Sequence, residues 1–245
     1  MSRVPLRISR SGLKLFVECP RCFWLEQHHK VRRPPGYPYT LSAAVDFLVK
    51  QEFDVFRLKG ELPPVLVNLG INAKLYPGPE LIDWRNNFRG INHFNKDLGV
   101  TVFGAVDDVL QFSDGTLAVI DYKSSGSKEV TIYDDYQKQM EVYHYILDQM
   151  GRSTHPKAYF VFFVVLKDGG GFKNALPFRE EVRAVDINNA WVAPTLERAC
   201  AVARDPNPPE PAEQCNHCMY VQVAGKFFSV PADKKITKQL PLANL

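Results

Sequence analysis

The 245-residue chain carries little net charge, few cysteines and no long apolar run, and each shortage narrows what it can be. A net charge of +3 permits a local basic groove but does not announce a protein that binds polyanions by charge alone. The longest apolar stretch, Ala158 to Leu166, has the length of a strand and is too short to span a bilayer. The N-terminus lacks the apolar core of a secretory signal, so a cytoplasmic protein is expected. No internal repeat is visible. What remains is ordinary globular composition, 45% hydrophobic and 23% charged, in a chain long enough to bury a sizeable core.

Five cysteines is an odd number, and four of them fall in pairs: Cys19-x-x-Cys22 near one end and Cys215-x-x-Cys218 near the other. In a reducing compartment such pairs suggest metal or cluster ligation rather than disulfides. Read alone, four thiolates in two such pairs suit tetrahedral zinc. Cys200, within Leu196 to Val202, reads as a helix core residue.

The stretch from Gly104 to Lys123 is the chemically pointed one. It reads as two antiparallel strands joined by a turn at Ser113-Asp114-Gly115-Thr116, the first strand running through Val100, Val102, Val106, Val109, Leu110 and Phe112. Acidic residues are poor strand formers, yet Asp107, Asp108 and Asp121 all lie here. Side chains alternate along a strand, so Asp121 and Lys123 project together and Tyr122 points the other way. The expected outcome is two carboxylates, Asp107 and Asp121, converging with the Lys123 ammonium at a sheet edge. Such carboxylates repel unless a cation neutralises them, and hard oxygen ligands suit Mg²⁺ or Mn²⁺. An amine beside that cation suits a reaction that builds charge on phosphate oxygens. The plainer alternative is a solvated strand end with an ordinary turn contact from Asp107 or Asp108.

Gly104-Ala105-Val106-Asp107 followed by Ile120-Asp121-Tyr122-Lys123 resembles the second and third motifs of the PD-(D/E)XK nuclease superfamily, in its RecB-type and CRISPR-associated branch. The helix carrying Gln139-x-x-x-Tyr143 is similar to the one that follows the D-x-K strand in that branch, and Ser11 to Phe23 resembles its N-terminal signature. The resemblance runs from about Ser9 to about Tyr220. It implies an α/β fold of the restriction-endonuclease type, a mixed sheet flanked by helices. The domain would span residues 1–231, with residues 9–30 and 205–220 as cysteine-bearing closing segments and residues 232–245 as a loose tail. It implies metal ligation by Asp107, Asp121 and the Tyr122 carbonyl, with Gln139 and Tyr143 bordering the site. A first-motif ligand would come from the helix expected over Leu41 to Leu58, as Asp46 or, failing it, Glu52. Relatives bear a 4Fe–4S cluster held by one N-terminal and three C-terminal cysteines. Here two cysteines stand at each end, so zinc stays open beside iron–sulfur.

Elsewhere, Ser9 or Ser11 is expected to cap a first helix with Leu13, Phe16 and Val17 on one face, and Pro20 to open a second. Leu41, Val45, Leu48, Val49 and Phe56 give the later helix an apolar side. Residues 60–79 read as loop, and a helix bearing Leu81, Ile82, Trp84 and Phe88 follows. Residues 133–150 read as helix, 157–166 as a strand buried on both faces, 178–185 as strand and 187–204 as helix. The function expected is metal-dependent hydrolysis of DNA phosphodiesters, with exonucleolytic end processing as one form of it. Repair and CRISPR-type complexes would supply protein partners. The rivals are a non-catalytic nucleic-acid-binding subunit and an adaptor whose cysteines bind zinc merely to close the fold.

Overall fold

The structure, a computed structural model, describes residues 6–227. The expected tail therefore lies outside the described residues. In chain order the elements are β1 (Leu6–Ser9), α1 (Arg10–Glu18), α2 (Pro20–His29), α3 (Thr40–Lys59), α4 (Pro64–Val67), β2 (Ala73–Leu75), α5 (Leu81–Trp84) and β3 (Ile91–Asn95). They continue with β4 (Val100–Gly104), β5 (Asp108–Phe112), β6 (Leu117–Ser125), α6 (Asp134–Gln149), β7 (Lys157–Val165), β8 (Phe178–Asp186), α7 (Val192–Arg204) and α8 (Asn216–Ala224).

The strands form two sheets. One has the order β1-β4-β3; the other, β2-β5-β6-β7-β8, is mixed, with β6 and β7 parallel and its other pairs antiparallel. The expected hairpin exists only in its second half. β5 pairs antiparallel with β6 from Asp108↔Ile120 to Gln111↔Leu117, and the turn closes where Gly115, at φ 85°, takes the left-handed conformation. The strand expected before it is broken. β4 ends at Gly104 in the first sheet, and Ala105 to Asp107 carry the chain across to the second. The crossing begins at a close approach: a β-carbon on Gly104 would lie 2.6 Å from the Tyr143 ring, so backbone passes where a side chain has no room.

β6 organises two cores. Leu117 and Val119 join a cluster built with α1, α6 and α7, including Leu13, Met140, Ile146 and Leu196. Ala118, Ile120 and Tyr122 face the opposite side, against Val49 and Phe53 of α3. The alternation puts Asp121 on the α6 side and Tyr122 on the α3 side, as the two-residue period requires. β7 is buried along most of its length, its odd and even residues divided between the two cores.

Helices form where expected, with instructive shifts. Ser9 does cap α1, its hydroxyl accepting from the Gly12 N–H at 2.9 Å. Val17, however, is exposed, as are Leu41 and Leu48, so the buried sides of α1 and α3 are narrower than hydrophobicity alone suggests. α5 stops at Trp84; Ile82 and Phe88 are exposed, while Trp84 stacks on Tyr76 in the core. α7 begins at Val192 rather than at residue 187. α4 and β2 lie within residues 60–79, and β1 and α8 are elements the periodicity does not mark, being short or lacking a buried face. No helix among the described residues is long and apolar enough to cross a membrane.

Candidate functional site

Asp107 and Asp121 meet because β5 and β6 are neighbours. Asp107, just before β5, accepts the Tyr122 N–H on Oδ2 at 3.0 Å and so lies against the backbone of the D-x-K strand. Asp121 is buried and ion-paired through Oδ2 with Lys123 two residues along the same face. That oxygen accepts no hydrogen bond. Its partner Oδ1 accepts the Gln139 amide at 2.6 Å, and the same amide donates to the Tyr143 hydroxyl at 3.2 Å. Gln139 and Tyr143 stand one turn apart on α6, which is what points both at β6. Burial, with Asp107 adding negative charge, pushes the Asp121 carboxyl up to about 6 against the pull of Lys123 and Arg10.

These groups line an open cleft of about 630 Å³, together with Asp46, Tyr39, Ala105 and Asn87. Asp46 lies on its wall. Glu52 does not: it is exposed, and its charge acts on Glu180 of β8 instead. Two cations have no motif to announce them, Lys50 behind two of the carboxylates that line the cleft and Arg10 on its wall. Lys50 of α3 bridges Asp46 Oδ2 and Asp107 Oδ1 at 2.8 Å each. Arg10 sits beside the Tyr143 hydroxyl at the start of α1. The i, i+4 spacing of Asp46 and Lys50 is the one sequence signal that hints at the first of them.

Asp108, the next residue after Asp107, points away from the cleft into a closed ionic cluster. Arg57 Nη2 reaches both of its oxygens at 2.6 Å, Arg85 Nη2 reaches Oδ2 at 2.8 Å and the Tyr122 hydroxyl donates to Oδ2 at 2.8 Å. The Val109 N–H adds a bond to Oδ1 at 2.7 Å. Arg57 also pairs with Asp54, three residues earlier on α3. Asp108 is thus a structural anchor, not a turn contact.

The four paired cysteines converge at the other end of α1, about 13 Å of helix away from Arg10. Cys19 and Cys215 occupy the N-cap positions of α2 and α8, and Cys22 and Cys218 lie in their first turns. All are free thiols whose sulfurs lie within 4.8 Å of one another. Cys22 Sγ is 3.6 Å from both Cys215 and Cys218, and Cys19 Sγ is 3.7 Å from Cys218. Around them, Arg33 Nη2 approaches Cys215 Sγ at 3.6 Å and the Ala212 N–H donates to Cys19 Sγ at 3.5 Å. Burial raises the Cys215 thiol, but hydrogen bonds from the Cys218 backbone and the neighbouring thiols outweigh it and bring the group down to about 6. The connection before Cys215 is held onto α2, Trp24 Nε1 donating to the Asp205 carbonyl and Arg21 Nε to the Pro209 carbonyl, each at 2.7 Å. The chain ends are thereby clasped. Cys200 is buried in α7, away from this centre.

No curated protein matches the chain. Among solved structures, one titled "Crystal structure of SSO0001" is 13% identical, covering 94% of this chain and 90% of its own, with a TM-score of 0.37. A family model of the PD-(D/E)XK nuclease superfamily matches residues 56–223, a span that holds Asp107, Asp121, Lys123, Gln139, Tyr143 and the second cysteine pair. This chain belongs to the PD-(D/E)XK nuclease superfamily.

Proposed function

We propose that the chain hydrolyses nucleic-acid phosphodiesters, DNA in the first instance, at the cleft between α3, β6 and α6. One observation carries this reading: Asp107 at the entry to β5 and Asp121 and Lys123 on the neighbouring β6 share the wall of an open cleft, with Asp121 held by a buried glutamine. The donor chemistry fits a hard divalent cation, since Asp107 and Asp121 offer carboxylate oxygens, and Asp121 Oδ2 is met by the flexible Lys123 ammonium rather than by a fixed hydrogen bond. Asp107, Asp121 and the Tyr122 carbonyl would hold Mg²⁺ or Mn²⁺, with Asp46 completing the set. The ion, when bound, supplies a water of lowered pKa and neutralises phosphate charge.

The protein's own groups do the rest. Gln139, backed by Tyr143, fixes the Asp121 carboxylate in one orientation. Lys123 stands beside Asp121, where its ammonium orients the attacking water or offsets charge growing on the phosphorane oxygens. Arg10 adds positive charge to the cleft wall, suited to a phosphate backbone, and Lys50 offsets the charge of Asp46 and Asp107 beside it. Tyr39, 81% exposed at the rim, offers a ring on which a base can stack. The preference for DNA, for chain ends and for repair or CRISPR-type settings rests on the resemblance to RecB-type and CRISPR-associated nucleases.

A second reading, a nucleic-acid-binding subunit without hydrolysis, draws on Lys50. Its ammonium already neutralises Asp46 and Asp107, as a built-in cation would. The test is cleavage of labelled single- and double-stranded DNA and RNA with Mg²⁺ or Mn²⁺, comparing wild type with Asp121→Ala and Lys123→Ala. Metal-dependent cutting lost in both variants is the expected result. Binding without cutting under either metal would favour the second reading.

A further inference from the structure

The sulfurs of Cys19, Cys22, Cys215 and Cys218 stand at a spacing that distinguishes one shared metal ion from the four-iron cluster that the resemblance implies. Four sulfurs around a single tetrahedral zinc, at a Zn–S bond of about 2.3 Å, stand about 3.8 Å apart along each edge. In the structure three of the separations are 3.6, 3.6 and 3.7 Å, and all four sulfurs fall within 4.8 Å of one another. In a 4Fe–4S cubane each thiolate binds a different iron at a separate corner. Its sulfurs then point outward from the cluster and stand wider apart than the ligands of a single shared ion. These four side chains leave no room for a cube of iron and sulfide between them.

The arrangement of the pairs gives the same answer independently. Each C-x-x-C occupies the N-cap and first turn of its own helix, α2 for Cys19 and Cys22 and α8 for Cys215 and Cys218. The two halves are therefore alike, two ligands from each, and the positive ends of both helices favour thiolates. A cluster held by one N-terminal and three C-terminal cysteines would have no such symmetry. Four thiolates and one Zn²⁺ leave a net charge of −2, and two donors face it. The Arg33 guanidinium, whose Nη1 pairs with Glu18, turns Nη2 towards Cys215 Sγ, and the Ala212 N–H donates to Cys19 Sγ.

We infer that Cys19, Cys22, Cys215 and Cys218 hold a single tetrahedral Zn²⁺, a structural clasp that ties α2 to α8, with Arg33 as the residue that compensates its charge. The inference does not depend on the hydrolytic reading, because the centre lies a helix length from the cleft. All four ligand positions are filled by protein, so the ion has no open site for chemistry.

The experiment is metal and acid-labile sulfide analysis of the full chain, expressed in iron-supplemented cells and handled anaerobically, followed by exchange with Co²⁺. Expected are about one zinc per chain, no labile sulfide, a colourless protein, and after exchange the visible ligand-field bands of tetrahedral cobalt thiolate. Arg33→Met should keep the tetrahedral cobalt spectrum while weakening metal affinity by about 10- to 100-fold. A brown protein containing iron and labile sulfide would overturn the inference, as would a mononuclear iron protein or one that binds neither zinc nor cobalt. Should the Arg33 variant fail to fold, the wild-type metal and sulfide content still decides. An Arg33→Met affinity equal to wild type would remove Arg33 from the account.

Discussion

Asp107 and Asp108 are chain neighbours, and the surroundings of the two carboxylates differ in almost every physical respect. Asp108 is fully buried and has hydrogen bonds from Arg57, Arg85, the Tyr122 hydroxyl and the Val109 N–H, so its charge is answered from within the fold. Asp107 is partly exposed on the wall of a cleft that also holds Asp46 and Asp121. Asp121, its partner there, is buried, with one oxygen held by Gln139 and the other met only by the Lys123 ammonium among the described residues. A buried charge that the protein satisfies by itself is a piece of structure. A group of carboxylates answered by the movable ammonium groups of Lys50 and Lys123, facing a cleft, is a place where a cation can displace those partners or a phosphate can pair with them.

The comparison is broken most forcefully at Asp108. Asp108→Ala removes the buried partner that Arg57 and Arg85 share, leaving them only the more exposed Asp54, and should cost about 3 kcal/mol of stability, read as a large fall in the urea midpoint. An unchanged midpoint would mean that the cluster is not an anchor.

His144 sharpens the contrast from a third direction, as a polar group buried without charge. It lies on α6 with Nε2 accepting the Val119 N–H at 3.3 Å, and burial, with His155 nearby, holds its pKa down to about 4. Between that value and the ordinary value of 6.5, the unfolded chain binds the proton and the native chain does not. Stability from this residue is therefore complete above pH 6.5 and is lost as pH falls towards 4, by about 3 kcal/mol at the limit. Denaturation curves at pH 7 and pH 5 should show the loss, and His144→Leu should flatten it.

Gln139→Leu tests the link between the helix and the site. It removes the amide that fixes Asp121 but keeps the volume, so hydrolysis should fall by about tenfold or more while the thermal midpoint moves by only a few degrees. Equal activity would reduce Gln139 to packing. The smallest effect belongs to Tyr39→Ala at the exposed rim, which should weaken single-strand binding by about tenfold and leave stability unchanged.

Much of this was legible in the sequence, for reasons that differ from residue to residue. The facing of Asp121 and Lys123 followed from strand alternation, and the pairing of Gln139 with Tyr143 from helical spacing, both of which are local geometry. The four-cysteine convergence followed from two like spacings at opposite ends. The break at Ala105 to Asp107 was not legible, because Val100 to Phe112 reads as one apolar run. The two halves pair with different strands, β4 with β1 and β3 and β5 with β2 and β6, and of these partners β1 and β2 lie far away in the chain. Lys50 and Arg10 were hidden for the same reason: a cation on a helix looks solvated until the sheet it faces is known. Hydrophobic pattern also overstated burial at Val17, Leu41 and Leu48, where no second layer covers the helix.

The most direct measurement is the cleavage rate of end-labelled DNA as a function of Mn²⁺ concentration, for wild type and for Asp121→Asn, with thermal melting of both proteins in metal-free buffer. Burial and the nearby Asp107 raise the Asp121 carboxyl, so its ionisation opposes folding at neutral pH, and the neutral amide removes that cost. The expected result is Mn²⁺-dependent cutting by wild type, reduced more than about a hundredfold in Asp121→Asn, which melts at the same temperature or higher. Equal cutting by a well-folded Asp121→Asn would place the chemistry elsewhere and contradict the account.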